Sequence, residues 1–184
     1  MLSDESKRSL IQAGRDLTNR VSRSMEQADW DGLLQLADRV PRAKRTFVTG
    51  AGRSGLVARN FGMRLMHLGL TAFIPGETIT PAADAGDLLV AISCTGKTGY
   101  TDFLARKAHQ AGAQVVVLTS NAESQLAADA DLVVTIPTSS EDIVVRAAVF
   151  EHAASLCLDA VFNVLAERLK LDIEAFQKRH ANLE

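Results

Sequence analysis

Thr46-Phe47-Val48-Thr49-Gly50-Ala51-Gly52-Arg53-Ser54-Gly55 opens as a short strand of β-formers and closes as a glycine-rich turn. Residues 57–68 then carry the apolar stripe of a helix that Gly69 is placed to end, so the order is strand, loop, helix. A second stretch, Ser93-Cys94-Thr95-Gly96-Lys97-Thr98, follows the apolar run of residues 88–92 in the same way. Each turn brings small residues, hydroxyls and free backbone N–H groups to one edge of a sheet. A helix N-terminus there supplies unpaired donors and partial positive charge, which is what a phosphate needs.

Working outward, residues 71–74, 115–118 and 132–136 add further short apolar runs, separated by helical or turn-rich stretches. Near-continuous β-branched runs suit strands buried on both faces of a parallel sheet. The five runs predict an α/β fold, a doubly wound five-stranded parallel sheet of flavodoxin-like type. Its ligand crevice lies beyond the strand C-termini, at the topological switch point. Two amphipathic helices precede the sheet: residues 5–28, with Leu10, Ile11, Leu17, Val21 and Met25, and residues 30–40, with Leu33, Leu34 and Ala37. A long helix follows it over 142–169, apolar on nearly every face through Val144, Val145, Val149, Phe150, Leu156, Leu158, Val161, Phe162 and Leu165. Such a helix runs through the core or packs on another subunit, and oligomerisation is the expectation. Residues 172–184 read as one more polar helix or an arm.

The 184 residues suit one domain: N-terminal helices over 1–42, an α/β core over 43–140, and C-terminal helices and tail over 141–184. The formal charge of −2, with no Lys/Arg run flanked by aromatics, argues against nucleic acid as a partner. Cys94 and Cys157 fit neither a disulfide framework nor a zinc spacing and read as reduced thiols. Residues 1–5 lack the basic and apolar parts of a signal peptide, and no apolar run of membrane-span length is expected. The expectation is a soluble, cytoplasmic protein with no membrane partner.

Gly50-Ala51-Gly52-Arg53-Ser54-Gly55-Leu56-Val57-Ala58-Arg59, Met63-Arg64-Leu65-Met66-His67-Leu68-Gly69, Gly76-Glu77-Thr78, Phe150-Glu151 and Arg179-His180-Ala181-Asn182-Leu183-Glu184 carry a resemblance over essentially the whole chain. Together they resemble the sugar isomerase (SIS) family, and within it the 6-phospho-3-hexuloisomerases. The resemblance implies an SIS fold and no cofactor. It also implies interconversion of D-arabino-hex-3-ulose 6-phosphate and fructose 6-phosphate, in the ribulose monophosphate pathway of formaldehyde fixation. Family members form tetramers, often dimers of dimers, so a homotetramer is implied as well. The second loop departs from the family's usual Ser-Gly-Ser-Gly-Glu-Thr at Cys94, Thr95 and Lys97. Thr95 keeps a hydroxyl. Cys94 stands where a glycine allows positive φ, so the loop either tolerates a Cβ or takes another path. Lys97 reverses a charge beside the anion, which strengthens phosphate binding or changes the sugar that fits.

The phosphate-binding candidates are Gly52, Arg53, Ser54, Ser93, Thr95, Lys97 and Thr98. The plainer reading makes Gly52 and Ser54 a tight turn and a cap, and Arg53 a surface residue. It makes Ser93, Thr95 and Thr98 the cap of a helix starting near Gly99, yet three hydroxyls within six residues exceed what one cap uses. Residues 119–124 read simply as a turn and helix cap.

Isomerising a hydroxyketone needs a base that takes a proton from carbon and returns it to the neighbouring carbon of a cis-enediol. Glu151 is the candidate, because it interrupts an apolar helix face where burial raises a carboxyl's pKa; the plainer reading is an ion pair with an arginine. The resemblance gives the same residue that role. It also makes His180, on a tail folded over a neighbouring subunit's cleft, a carrier of protons between the enediol oxygens. Glu77 points toward the crevice as a ligand of sugar hydroxyls or an alternative acid/base, while His67, His109 and His152 read as structural. No metal is required, and the spacing of potential ligands suggests none. With O6 esterified, a hex-3-ulose 6-phosphate cannot close a five-membered ring, so only the reverse reaction needs a ring-opening acid. Two alternatives stay open: an SIS isomerase acting on an arabinose or heptose phosphate, and a non-catalytic sugar-phosphate sensor.

Overall fold

The chain is described by a computed structural model over residues 4–139 and 143–183. Its elements are α1 (Asp4–Glu26), α2 (Trp30–Arg39), β1 (Thr46–Gly50), α3 (Gly52–His67), β2 (Ala72–Phe73) and β3 (Leu88–Ile92). There follow α4 (Gly99–Gln110), β4 (Gln114–Thr119), α5 (Gln125–Ala128), β5 (Leu132–Thr135), α6 (Ile143–Arg168) and α7 (Ile173–Lys178). The five strands are parallel in the order β2-β1-β3-β4-β5, the doubly wound arrangement expected. β1 and β3 are neighbours whose outgoing helices leave to opposite faces, and the crevice opens between them.

Alternation along each strand builds two cores. Val48, Val90, Ile92, Val116, Leu118 and Val134 face the layer of α1, α2, α3 and α6. Phe47, Leu89, Ala91, Val115 and Val117 face the layer of α4 and α5. The strand expected over 71–74 is trimmed to Ala72–Phe73 at the sheet edge, where the Thr71 carbonyl still accepts from the Thr46 N–H. α3 starts at Gly52, ahead of the apolar stripe, because the glycine loop itself winds the first turn.

The long apolar helix corrects one expectation and meets another. α6 contains a stretch of 25 residues, Val144–Arg168, that is long and apolar enough to cross a membrane, so an apolar run of span length does exist. It serves as a core helix: Phe150, Ala153, Ala154, Cys157, Leu158, Val161, Phe162 and Leu165 are buried, covered by α1, α2 and α3. This is the core placement that the sequence left open beside subunit packing, while Val144 and Leu156 of the same helix stay exposed. The expected first residue of this helix, Asp142, and the final Glu184 lie outside the described residues. The tail forms α7, with the Asp172 carboxylate accepting from the Glu174 and Ala175 N–H groups at its N-terminus.

Candidate active site

The first wall of the crevice is the β1–α3 turn. A Cβ on Gly50 would lie 2.8 Å from the Ser54 backbone, and one on Gly55 would lie 2.7 Å from the Gly50 carbonyl oxygen. Strand end and helix start thus meet too closely for any side chain at either glycine. Ala51 occupies the N-cap and has no side chain to cap with, so the first N–H groups of α3 keep no side-chain partner. Gly52, at φ +56°, opens the helix, and Ser54 is buried beside it.

The second wall is the β3–α4 turn. Ser93 is buried; its hydroxyl accepts from the Gly96 N–H at 3.2 Å and donates to Thr98 Oγ1 at 3.3 Å. Thr95 Oγ1 accepts from the Lys97 N–H at 3.3 Å. Thr98 is the N-cap of α4, but its hydroxyl makes no capping bond, so the hydroxyls are not used as the plainer reading had it. The stretch after β4 does more than turn: Thr119 and Ser120 hydroxyls donate to the Cys94 carbonyl at 3.2 and 2.7 Å and prop the loop. Ser124 stands at the N-cap of α5 without a side-chain capping bond.

The loop's positive φ, +64°, falls at Gly96, and Cys94 stands among residues of ordinary backbone, so the path tolerates this Cβ without strain. A Cβ on Gly96 would lie 2.0 Å from Ser124 Oγ. Gly96→Ala should therefore displace the loop and weaken phosphate binding about tenfold or more, read by calorimetric titration, whereas Cys94→Gly should leave it within about twofold.

Between the walls lies a cavity of about 180 Å³ lined by Ala51, Ser54, Ile92, Ser93, Cys94, Thr95, Thr98, Arg146 and Ala147. It unites Ser54, Ser93, Thr95 and Thr98 of the sequence-derived set. Gly52, Arg53 and Lys97 are not among its lining residues, and Lys97 is exposed. Arg146 was not anticipated, yet the signal that singled out Glu151, a charge on an otherwise apolar helix, applies to it equally. A larger cavity of about 590 Å³ lies around Arg39, Arg42, Gly86 and Asp87, at the opposite, N-terminal ends of the strands. Asp87 is fully engaged there by the Arg45 guanidinium and the Asp84 N–H, a structural pairing that holds its carboxyl below the usual range despite burial.

Glu151 sits one turn beyond Ala147 and is 8% exposed. Arg53 Nε lies 2.7 Å from its Oε2, and that oxygen has no aligned hydrogen bond. Arg53 is thus the base candidate's partner rather than a wall of the phosphate cavity. Burial pushes the Glu151 carboxyl above the usual carboxylate range, while Arg53 and His152 pull it partly back. Burial likewise pushes the Cys94 thiol above its ordinary value, and its Sγ lies 3.7 Å from Ser120 Oγ.

Two other candidates stand apart. Contacts from Arg53 to Glu151, Asn60 to Ser155 and Arg64 to Asp159 show α3 and α6 running side by side in the same direction. His180 stacks on His67 at the far end of α3, with ring centroids 4.2 Å apart, and Arg179 donates to the His67 carbonyl. The 16-residue α3 is about 24 Å long, so His180 is a helix length from its own chain's cavity. His67 is buried as expected of a structural histidine. Glu77 is half-exposed and paired with Arg59 at 2.7 Å, and it does not line the cavity. Among the described residues no three His, Cys, Asp or Glu side chains are grouped to hold a metal ion.

Residues 41–162 match the SIS domain family model. A 3-hexulose-6-phosphate isomerase of Mycobacterium gastri is 38% identical over 93% of this chain and 93% of its own length. One from Bacillus subtilis (strain 168) is 40% identical over 88% of this chain and 89% of its own. A solved structure from Methanococcus jannaschii, described as a hypothetical protein with the inferred function of 3-hexulose-6-phosphate isomerase, is 32% identical. It superimposes with a TM-score of 0.83 over 91% of this chain and 98% of that one. With the sheet order, both loops and these likenesses in agreement, the chain belongs to the SIS-domain family.

Proposed function

We propose that the chain isomerises D-arabino-hex-3-ulose 6-phosphate and fructose 6-phosphate through a cis-enediol. The observation that carries the reading is a buried carboxyl, Glu151, one helical turn from a cavity walled by hydroxyls and two uncapped helix N-termini. The phosphate sits in the cavity, held by N–H groups of α3 and α4 and by Ser54, Ser93, Thr95 and Thr98. The open sugar chain extends toward Glu151, which takes the C2 proton and delivers it to C3. N–H and hydroxyl donors stabilise the intermediate enediolate. A pure sensor has no use for a carboxyl buried at that point, which favours an enzyme.

His180 enters this scheme only from a neighbouring subunit, since its own chain holds it a helix length away. A cytoplasmic homotetramer supplying it in trans, with Glu77 at the rim, completes the reading. The step belongs to formaldehyde fixation by the ribulose monophosphate route. Fructose 6-phosphate incubated with the protein in D2O should gain deuterium at C3; uptake at C1 instead would identify aldose–ketose isomerisation and contradict the assignment.

A further inference from the structure

Phosphate monoesters carry about −1.5 to −2 charges near neutral pH, whereas a helix N-terminus presents only about +0.5. The two helices that open on the cavity thus supply roughly one unit, and about one more must come from a side chain. The cations in question are the two carried by the loops, Arg53 and Lys97, and the one that lines the cavity, Arg146. Arg53 is committed to Glu151 and is more than half exposed. Lys97 is exposed and is not among the residues lining the cavity. Arg146 lines it, is half-buried, and has no carboxylate within ion-pair distance among the described residues.

We propose that Arg146 is the phosphate-binding cation of this site, so that phosphate charge is read from α6 and not from the glycine loops. The inference rests on the reading that the cavity takes the substrate's phosphate. A guanidinium suits the task, because its planar fork gives two parallel charge-assisted hydrogen bonds to phosphate oxygens where an ammonium gives a point charge. Its place also fixes a distance. Arg146 and Glu151 are five residues apart on one rigid helix, about 7.5 Å along its axis. Anchoring the phosphate at Arg146 therefore holds the reacting carbons in fixed register with the base, and α6 acts as the ruler of the site.

The test is calorimetric titration of inorganic phosphate and of fructose 6-phosphate into the wild type, Arg146→Gln and Arg146→Lys, with turnover of 3-hexulose 6-phosphate measured alongside. Arg146→Gln should weaken both ligands by about 10- to 100-fold, the range of a lost charge-assisted contact. kcat at saturating substrate should change far less than kcat/KM, and Arg146→Lys should recover part of the affinity. Ligand-free thermal unfolding should be unchanged, because the guanidinium has no ion-pair partner among the described residues. Affinities within twofold of wild type in folded Arg146→Gln, or in Arg146→Lys with no difference between the two, would overturn the proposal, as would a wild type that binds no phosphate. Arg146-dependent phosphate binding without turnover would remove the isomerase reading and leave this one standing. Turnover with an unchanged KM in Arg146→Gln would do the reverse.

Discussion

Glu151→Gln should lower turnover about a thousandfold, within the 10²–10⁴ range of a lost general base, and leave phosphate affinity within about twofold. The amide keeps the shape of the side chain but cannot accept a proton from carbon, and neither this residue nor its partner Arg53 lines the phosphate cavity. Because burial raises the folded-state pKa of Glu151 above its ordinary value, any stability linked to its protonated form is lost as pH rises through that value. Burial thus disfavours the charged form of this carboxyl, a penalty that an uncharged amide of the same shape does not carry. Glu151→Gln should unfold no earlier than wild type on heating. The same direction of shift places the acid limb of the pH–rate profile above the usual carboxylate range. Arg53 pulls the pKa down, so Arg53→Met should move that limb further up; a downward move would contradict the pairing as described.

Phe150→Ala should cost about 3–5 kcal/mol in denaturant unfolding, the range for emptying a large aromatic site in a packed core. Phe150 is fully buried on α6 within the cluster formed by β1, β3, α2 and α3 side chains. Its ring fixes the helix on the sheet one residue before the base, so kcat should fall beyond what the loss of folded protein explains. Leu10→Ala, at a side chain 75% exposed, should stay within about 0.5 kcal/mol and serves as the control. A Phe150→Ala cost below about 1 kcal/mol would mean that α6 is not the core helix of a single chain.

Much of the scaffold is legible because strand burial is a local property: the run 88–92 is β3 residue for residue, and 46–50 with its glycines is β1 and its turn. The two loops are legible for the same reason, as their chemistry lies in consecutive residues. Which partner each charge chooses is not local. Arg53, next to the phosphate loop in sequence, turns to Glu151 nearly a hundred residues away. Arg146, set within an apolar run of sequence, arrives at the loops only because α6 packs along α3. For α6 itself, composition alone leaves a core helix, a subunit interface and a membrane span indistinguishable, and only the tertiary cover by α1, α2 and α3 reveals the core helix. His180 illustrates the limit from the other side: its closing motif suggests chemistry, while its own chain stacks it against His67.

The most direct measurement is a coupled assay in which 3-hexulose 6-phosphate is generated in place from formaldehyde and ribulose 5-phosphate and fructose 6-phosphate formation is followed. Turnover by the wild type that is lost in folded, phosphate-binding Glu151→Gln is the expected result. A folded wild type that binds sugar phosphates yet forms no fructose 6-phosphate, or a Glu151→Gln variant as fast as wild type, would contradict it.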